Sequence, residues 1–449
     1  MMEKIADRAV VLGGSIAGLL AARVLSEAYD EVVVVERDEL PTAATHRRGV
    51  PQGRHIHGLG GRGQQILDEL FPGFTADLVA QGVPVVDQLN DARLYLSGHR
   101  LQQAVSGVRV LSASRPCLEG YLRERVRSLP GVGFADHCDA LGFATTPDGD
   151  VTGVRVIRRA DGSAGETLDA DLVVDATGRG TRTPRWLDDL GYGRPARDTI
   201  AADIAYATAT LRLRPDALGS DLAVIAPPKS GHHRGGGLAA IEGDRHILTL
   251  MGLLGERPST TPEGFLDYAR SLQVPDIYDA VHDAEMLTDP VATRFPASVR
   301  CRYERMARFP NGLLVVGDAL CSFNPIYGQG VGVAALEALT LRRHLEGERP
   351  LDTHKVMRAL AKAIDVPWDM AAGGDLAFPA VEGDRNTKVR IGNAYIPRLH
   401  AAAASDAKLG TTFVRVAALI DPPERLFRPG TIVRVLAQMA SNSRDRSGP

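Results

Sequence analysis

Apolar residues along this chain occur in two textures. One is the short unbroken run: Ala9–Leu12, Val32–Val35, Leu172–Val174 and Leu313–Val316. Such runs predict strands covered on both faces, as in a parallel sheet. Helical stretches lie between them. Ile16–Leu25 and Gly330–Leu345 are rich in Ala and Leu, Gln64–Phe71 reads as helix, and Arg115–Leu129 gathers Leu118, Leu122, Val126 and Leu129 near one face. The other texture is alternation. It is weak from about Val85 to Leu101 and clearer from Asp198 to Gly252, where Ile200, Ile204, Tyr206, Leu211 and Leu213 alternate and Ala223–Ala226, Leu238–Ile241 and Ile247–Leu250 read as strands. That stretch predicts a mostly antiparallel sheet. Val154–Arg158 predicts one more strand. Thr261-Pro262-Glu263 predicts a helix start, with Thr as cap and Pro in the first turn. Pro41–Gly63 is basic, Gly-rich and poor in apolar residues, which predicts a long functional loop. Beyond Arg349 the pattern is helical, with breaks at Asp421-Pro422-Pro423 and Arg428-Pro429-Gly430. Ser441–Pro449 is polar and predicted to fray.

These elements predict an α/β chain: a Rossmann-type nucleotide domain with a parallel sheet, an inserted, mostly antiparallel sheet domain for substrate, and a helical C-terminal region. The expected boundaries are 1–75, 105–190 and 288–345 for the nucleotide domain, 76–104 and 191–287 for the sheet domain, and 346–449 for the helices. The chain's 449 residues suit two or three domains. A net charge of −3 gives no sign of a nucleic-acid partner. No run approaches the roughly 20 apolar residues of a membrane span, so no integral membrane segment is expected. The charged start runs directly into a strand, unlike a signal peptide. Cys117, Cys138, Cys301 and Cys321 are scattered without a CxxC pair. They predict free thiols, a cytoplasmic location and no zinc site.

Gly13-Gly14-Ser15-Ile16-Ala17-Gly18 joins the first strand to the first helix. It fits GxGxxG with Ser15 at the middle position. Gly13 allows the tight turn, a small Ser15 lets backbone approach a pyrophosphate, and Gly18 allows close helix–strand packing. The helix N-terminus offers unpaired N–H groups to phosphate. Glu36, with Arg37 beside it, ends the second strand at about the 20-residue spacing expected of an acid on ribose hydroxyls. The rival reading, the nucleophile elbow of an α/β-hydrolase, lacks its second glycine, because Ala17 stands there.

A second glycine motif follows the strand at 313–316: Gly317-Asp318-Ala319, then Phe323-Asn324-Pro325-Ile326-Tyr327-Gly328-Gln329-Gly330 and a helix. It resembles the GD motif, GDAxHxxxPxxGxG, of the class A flavoprotein monooxygenases, with Leu320-Cys321 where the family has its His. The resemblance implies FAD as cofactor and spans Val10 to about Leu345. It gives Asp318 the ribityl hydroxyls, as an acceptor-only carboxylate, and brings Gly317, Pro325, Gly328, Gln329 and Gly330 to the edge of the flavin ring. Arg48-Gly49-Val50 resembles the Arg-Ala-Gly-Val loop of aromatic hydroxylases such as p-hydroxybenzoate hydroxylase, which assigns Arg48 to the pyrophosphate. Arg115-Pro116-Cys117-Leu118 resembles a helix start whose Arg also reaches FAD. Asp175-Ala176-Thr177-Gly178-Arg179-Gly180 occupies the place of the DG motif but has Thr177 for its Asp, which opens the question of the electron donor. Together with Pro51-Gln52-Gly53-Arg54-His55-Ile56-His57, these motifs are nearest to bacterial natural-product monooxygenases, including polyether epoxidases. The halogenase Trp-x-Trp-x-Ile-Pro motif is missing; Trp186 and Trp368 are the two tryptophans.

His46, His55 and His57 lack a completing carboxylate or thiol, so no metal is expected. Roles supporting or packing the loop near the flavin suit the last two better. His232-His233 reads as solvent-facing. Arg47, Arg48 and Arg54 read as phosphate-binding or as a solvated basic face. Phe323 and Tyr327 are read as pocket wall or as core.

The resemblance implies a monooxygenase that takes electrons from NAD(P)H, or from a partner flavin reductase, and transfers oxygen from a flavin C4a-hydroperoxide to a lipophilic small molecule by epoxidation or hydroxylation. The sheet stretch has few titratable residues, Asp203, Glu242 and His246, which favours an alkene over an aromatic substrate. A flavin-dependent reductase of prenyl double bonds and a non-catalytic flavin-binding protein are the alternatives. No catalytic acid or base is assigned by sequence.

Overall fold

The computed structural model describes residues 4–159, 163–347 and 350–445. The four apolar runs form a parallel sheet with a fifth strand, in the order Leu313–Val315, Leu172–Asp175, Ala6–Leu12, Tyr29–Val35 and Val132–Ala135. The last strand was not expected, since its Val-Gly-Phe-Ala sequence has no apolar run. Val10, Val11, Val32, Val34, Val173, Val174 and Leu314 are fully buried because helices cover the sheet. Ile16–Leu25 is apolar nearly all round, and it shares one core with the helix Gly330–Leu345 through Leu19, Leu20, Val331, Ala335 and Leu341. Burial of each such leucine contributes about 1.5–3 kcal/mol. The helix Gly61–Leu70 crosses Gly330–Leu345 closely: a Cβ on Gly63 would lie 2.8 Å from Gly332 Cα. This helix starts inside the stretch expected to be loop.

The second texture folds as an eight-stranded sheet. Its order is Glu285–Met286, Ile204–Arg212, Arg245–Gly252, Arg234–Ile241, Ala223–Ala226, Ala92–Leu96 and His99–Arg100, with Val291–Phe295 also on Ile204–Arg212. Pairing is antiparallel except between Ala223–Ala226 and Ala92–Leu96. Alternation gives this sheet two faces. Ala207, Ala209, Leu211, Leu248 and Leu250 meet the helices Pro262–Arg270 and Asp276–Val281. Thr261 caps the first of these, its Oγ1 accepting from Gly264 N at 3.2 Å. Tyr206, Thr208, Thr249 and Met251 lie on the opposite face.

Several strands depart from the expected boundaries. Val85–Asp87 pairs with Arg109–Leu111, which also pairs with Leu59–Gly60, in a small sheet of its own. Val291–Phe295, inside the range assigned to the nucleotide domain, belongs to the large sheet. Cys138–Thr145, Val151–Arg158 and Glu166–Asp169 form an antiparallel three-stranded sheet. The C-terminal region is helical at Thr353–Asp375, Thr387–Ala403, Ala407–Ala417 and Pro429–Asp445, with proline at both expected breaks. The last helix runs to Asp445, and the remainder of the stretch expected to fray, 446–449, lies outside the described residues. Among the described residues no helix is long and apolar enough to cross a membrane.

The first turn depends on a missing side chain. A Cβ on Gly18 would sit 1.8 Å from Gly13 O, a backbone atom fixed by Gly13 N donating to Val35 O at 2.8 Å. Gly18→Ala therefore forces helix and turn apart. A loss of about 1–3 kcal/mol is expected, read as a lowered melting temperature and weakened flavin retention.

Candidate functional site

Three glycine turns meet at the carboxyl ends of the parallel strands, where open α/β sheets bind ligands. Gly13 has φ +103°, and a Cβ there would lie 2.5 Å from Ala176 O. Gly317 has φ +63°, and its Cβ would lie 2.6 Å from the methyl of Ala17. Gly178 approaches Asp318. The fingerprint helix, the loop after Asp175 and the GD loop thus share one cleft.

At one end of the cleft is a network of buried charges. Glu36 accepts from Gly14 N at 2.8 Å and Asp38 N at 3.0 Å. Arg47 bridges Glu36 at 3.2 Å and Glu119 at 2.7 Å. Glu119 also receives Arg115 Nε at 3.1 Å and the Ser15 hydroxyl at 2.8 Å, and Arg115 Nη2 donates to Ser15 Oγ at 2.8 Å. Burial opposes the charge on Glu119, but Arg115 and Arg47 outweigh it and hold the carboxyl below its ordinary range. Arg48, the position matched by the resemblance, is exposed and makes no hydrogen bond among the described residues, while Arg47 is buried. Arg37 is also exposed, and Ile16 packs into the core. His46, Arg47, Val50, Gly53, Arg115 and Glu119 line a narrow crevice here. A broader hollow, lined by Asp7, Asp30, Asp150 and Asp171 among others, opens beside the sheet's amino-terminal edge, away from this cleft.

Asp318 lies recessed at the other end and makes no hydrogen bond among the described residues. Burial raises its pKa, against the pull of Arg115 and Arg179. Arg179 stacks on Phe295, 4.3 Å from the ring centroid. Its loop is held by Asp175, which accepts from Thr177 N at 2.8 Å, Thr177 Oγ1 at 2.6 Å, Thr183 Oγ1 at 2.6 Å and the Thr181 hydroxyl. Thr177 thereby braces the turn where the family's motif has an acid. Gly317 N donates to Glu337 at 2.7 Å, and Glu337 is buried within the helix Gly330–Leu345. Pro325 is exposed on the GD loop, and a Cβ on Gly328 or Gly330 would meet open space at the helix start. Gln329 Oε1 is buried there without a partner among the described residues.

The GD loop is clamped from a distance. Asp375 accepts from Asn324 Nδ2 at 2.5 Å and Tyr327 OH at 3.1 Å, and Ser298 Oγ links the two segments, donating to Asp375 at 3.4 Å and accepting from Asn324 N at 2.9 Å. Gly374 makes room for Tyr327, because a Cβ would lie 2.3 Å from the tyrosine hydroxyl. Burial pushes Asp375 up to about 6, opposed by these hydrogen bonds. Sequence reasoning missed Asp375, Glu337, Glu119 and Arg47's pairing. Only Glu119 left a signal, four residues after Arg115 on one helix.

The substrate-side residues also sort by face. Asp203 pairs with Arg257 and Arg294, Glu242 with Arg245 and Ser114 N, and His246 shares the outer face with Leu248 and Leu250. His55 and His57 lie in the loop over the inner face. Burial, then Arg115, lowers His57 to about 3; its Nδ1 donates to His55 O at 2.8 Å. No group of three metal-ligating side chains occurs among the described residues.

The sequence model for the family described as "FAD binding domain" matches residues 7–348. The chain belongs to this FAD-binding family. Its fold and its glycine motifs resemble those of the class A flavoprotein monooxygenases. It is 37% identical over 436 residues to protein Rv3254 of Mycobacterium tuberculosis (strain ATCC 25618 / H37Rv), covering 92% of this chain and 90% of that one. It is 29% identical to a kynurenine 3-monooxygenase of Salinispora arenicola (strain CNS-205), covering 91% and 85%. The fold is similar to p-nitrophenol 4-monooxygenase PnpA from Pseudomonas putida DLL-E4, with a TM-score of 0.66, 16% identity, and 94% and 100% coverage. The cleft suits the family's cofactor: the orphaned Gln329 oxygen, the open Gly328–Gly330 turn and the unbonded Asp318 carboxyl face one end, while the Arg115 guanidinium lies beside the start of the fingerprint helix at the other.

Glu337 generates a pH prediction. Burial lifts its pKa from 4.5 to about 8, with Gly317 N–H opposing and Asp318 adding to the rise. The folded chain holds this proton more tightly than the unfolded chain, so its contribution to stability falls as pH rises between those values. Glu337→Gln keeps an acceptor for Gly317 N–H and removes the titration. The variant's melting temperature relative to wild type should therefore rise steadily from pH 5 to 8. An unchanged difference would contradict this account.

Proposed function

We propose that the chain is an FAD-dependent monooxygenase that inserts one atom of O₂ into a small lipophilic substrate, by hydroxylation or epoxidation. The observation that carries this reading is the contact of Gly317 with Ala17, which brings Asp318 opposite Arg115 and Arg179 and makes a phosphate end and a ribityl end of one cleft. Bound FAD supplies the redox chemistry and the activation of O₂. The chain's own residues supply the rest. Arg115, which reaches Ser15 at the start of the fingerprint helix, would neutralise phosphate charge, and that helix's first N–H groups would bind phosphate oxygens. Asp318 fixes the ribityl chain. The helix Gly330–Leu345 turns its N-terminal N–H groups to the ring edge, where electron density accumulates on reduction. The large sheet and the loop Pro51–Gly60 exclude water from the substrate side.

The names of the two relatives, a kynurenine and a p-nitrophenol monooxygenase, support hydroxylation of an aromatic substrate over the alkene expectation. NAD(P)H is the proposed donor. The sequence has no second nucleotide fingerprint, so NAD(P)H either visits the same cleft or acts through a flavin reductase. Free cysteines, three of them buried, agree with a cytoplasmic setting.

The purified protein should be yellow. Asp318→Ala should weaken flavin binding at least about tenfold, since a carboxylate hydrogen bond to the ribityl chain is lost, read as loss of visible absorbance on dialysis. Turnover under isotopically labelled O₂ should place one labelled atom in the product. A product formed without label would overturn the monooxygenase reading.

A further inference from the structure

The loop Pro51–Gly60 leaves His55 against the inner face of the large sheet, and the cofactor cradle makes no use of it. The residue is 7% exposed. Its Nδ1 lies 2.7 Å from Thr208 Oγ1, Thr208 Oγ1 lies 2.8 Å from Thr249 Oγ1, and Thr249 Oγ1 accepts from Ile56 N at 3.0 Å. Both threonines are buried, and these are their hydroxyl contacts among the described residues. Each hydroxyl has one proton. If Thr249 donates to Thr208, and Thr208 to Nδ1, both protons are satisfied. The reverse direction strands the Thr249 proton in the interior, which is costly. The chain of donors therefore makes Nδ1 an acceptor and puts the ring proton on Nε2.

Nε2 is buried and has no partner among the described residues. With Nδ1 turned to the sheet, Nε2 lies on the ring edge away from it. The Tyr206 ring is 5.6 Å away, and its hydroxyl reaches 3.4 Å from Asn324 Oδ1, next to Pro325 of the GD loop. The same layer contains Met251, Ile56 and Ile225, which meet around Gly237. A fixed N–H donor without an acceptor among the described residues thus lies buried between the sheet and the GD loop, beside Tyr206.

We propose that His55 Nε2–H binds an oxygen of the substrate, and that the substrate is an apolar frame bearing a phenolic or carbonyl oxygen. This rests on the monooxygenase reading above and narrows it. A plain hydrocarbon alkene would leave the donor unsatisfied. Burial, and then the charge of Arg54, keep the imidazole neutral by lowering its pKa to about 4. The ring therefore donates a hydrogen bond without surrendering its proton, and it stabilises negative charge on the substrate oxygen.

The test uses the FAD-loaded full chain and three probes: naphthol, acetylnaphthalene and methylnaphthalene, titrated against the flavin absorbance spectrum. Wild type should bind the two oxygenated probes about tenfold to a hundredfold more tightly than the hydrocarbon. His55→Phe keeps the ring against Tyr206 and should abolish that preference while leaving methylnaphthalene binding unchanged. His55→Gln should restore part of it. Equal binding of all three probes by wild type, binding of none, or an intact preference in His55→Phe would each overturn the proposal. Nitrogen-labelled histidine NMR of wild type gives an independent reading that does not depend on any variant folding. A proton on Nε2 at neutral pH is expected, and one on Nδ1 would overturn it. Failure of the parent reading looks different: a colourless protein, or an unlabelled product.

Discussion

The structure turns on how closely three backbone turns approach one another at the carboxyl edge of the parallel sheet. Gly13 abuts Ala176, Gly18 abuts Gly13, and Gly317 abuts Ala17, each at a distance that leaves no room for a side chain. Segments three hundred positions apart are brought to contact distance by that steric fit. Once the turns touch, Ser15, Arg115, Arg179 and Asp318 are fixed on the walls of a single cleft, and the positions of the charges follow from the packing.

Charge then has to be made tolerable in a place where water is scarce. At the fingerprint end the solution is pairing: Glu36, Glu119, Arg47 and Arg115 share their hydrogen bonds so that no ion stands alone. At the GD-loop end it is neutralisation. Glu337 holds the loop through a carboxyl that burial keeps protonated at neutral pH. Buried pairs of this kind add little net stability but are expensive to break, so both ends favour a fixed geometry.

The architecture and the two glycine motifs were legible in the sequence because they are local. A tight turn, a buried strand and a helix start each leave a signature within a few residues. The register of a long irregular loop leaves none, so the sequence does not tell that Arg47 is buried while its neighbour Arg48 is exposed. Asp375 was invisible for another reason: its partners, Asn324, Tyr327 and Ser298, are chosen by packing between distant segments. On the large sheet, Asp203 and Glu242 are taken up by ion pairs and His246 shares the face of Leu248 and Leu250, while the buried polar residues of the inner face are Tyr206, Thr208 and Thr249, which read in sequence as ordinary strand formers.

The clamp on the flavin loop has a consequence for how the protein is born. Asn324 and Tyr327 find their acceptor at the far end of the helix Thr353–Asp375, beyond the stretch that defines the FAD-binding family. As the chain emerges from the ribosome, the nucleotide-binding sheet has all its strands well before that aspartate exists. The loop therefore gains its brace only when the chain is nearly complete, and a stalled nascent chain carries the sheet without it.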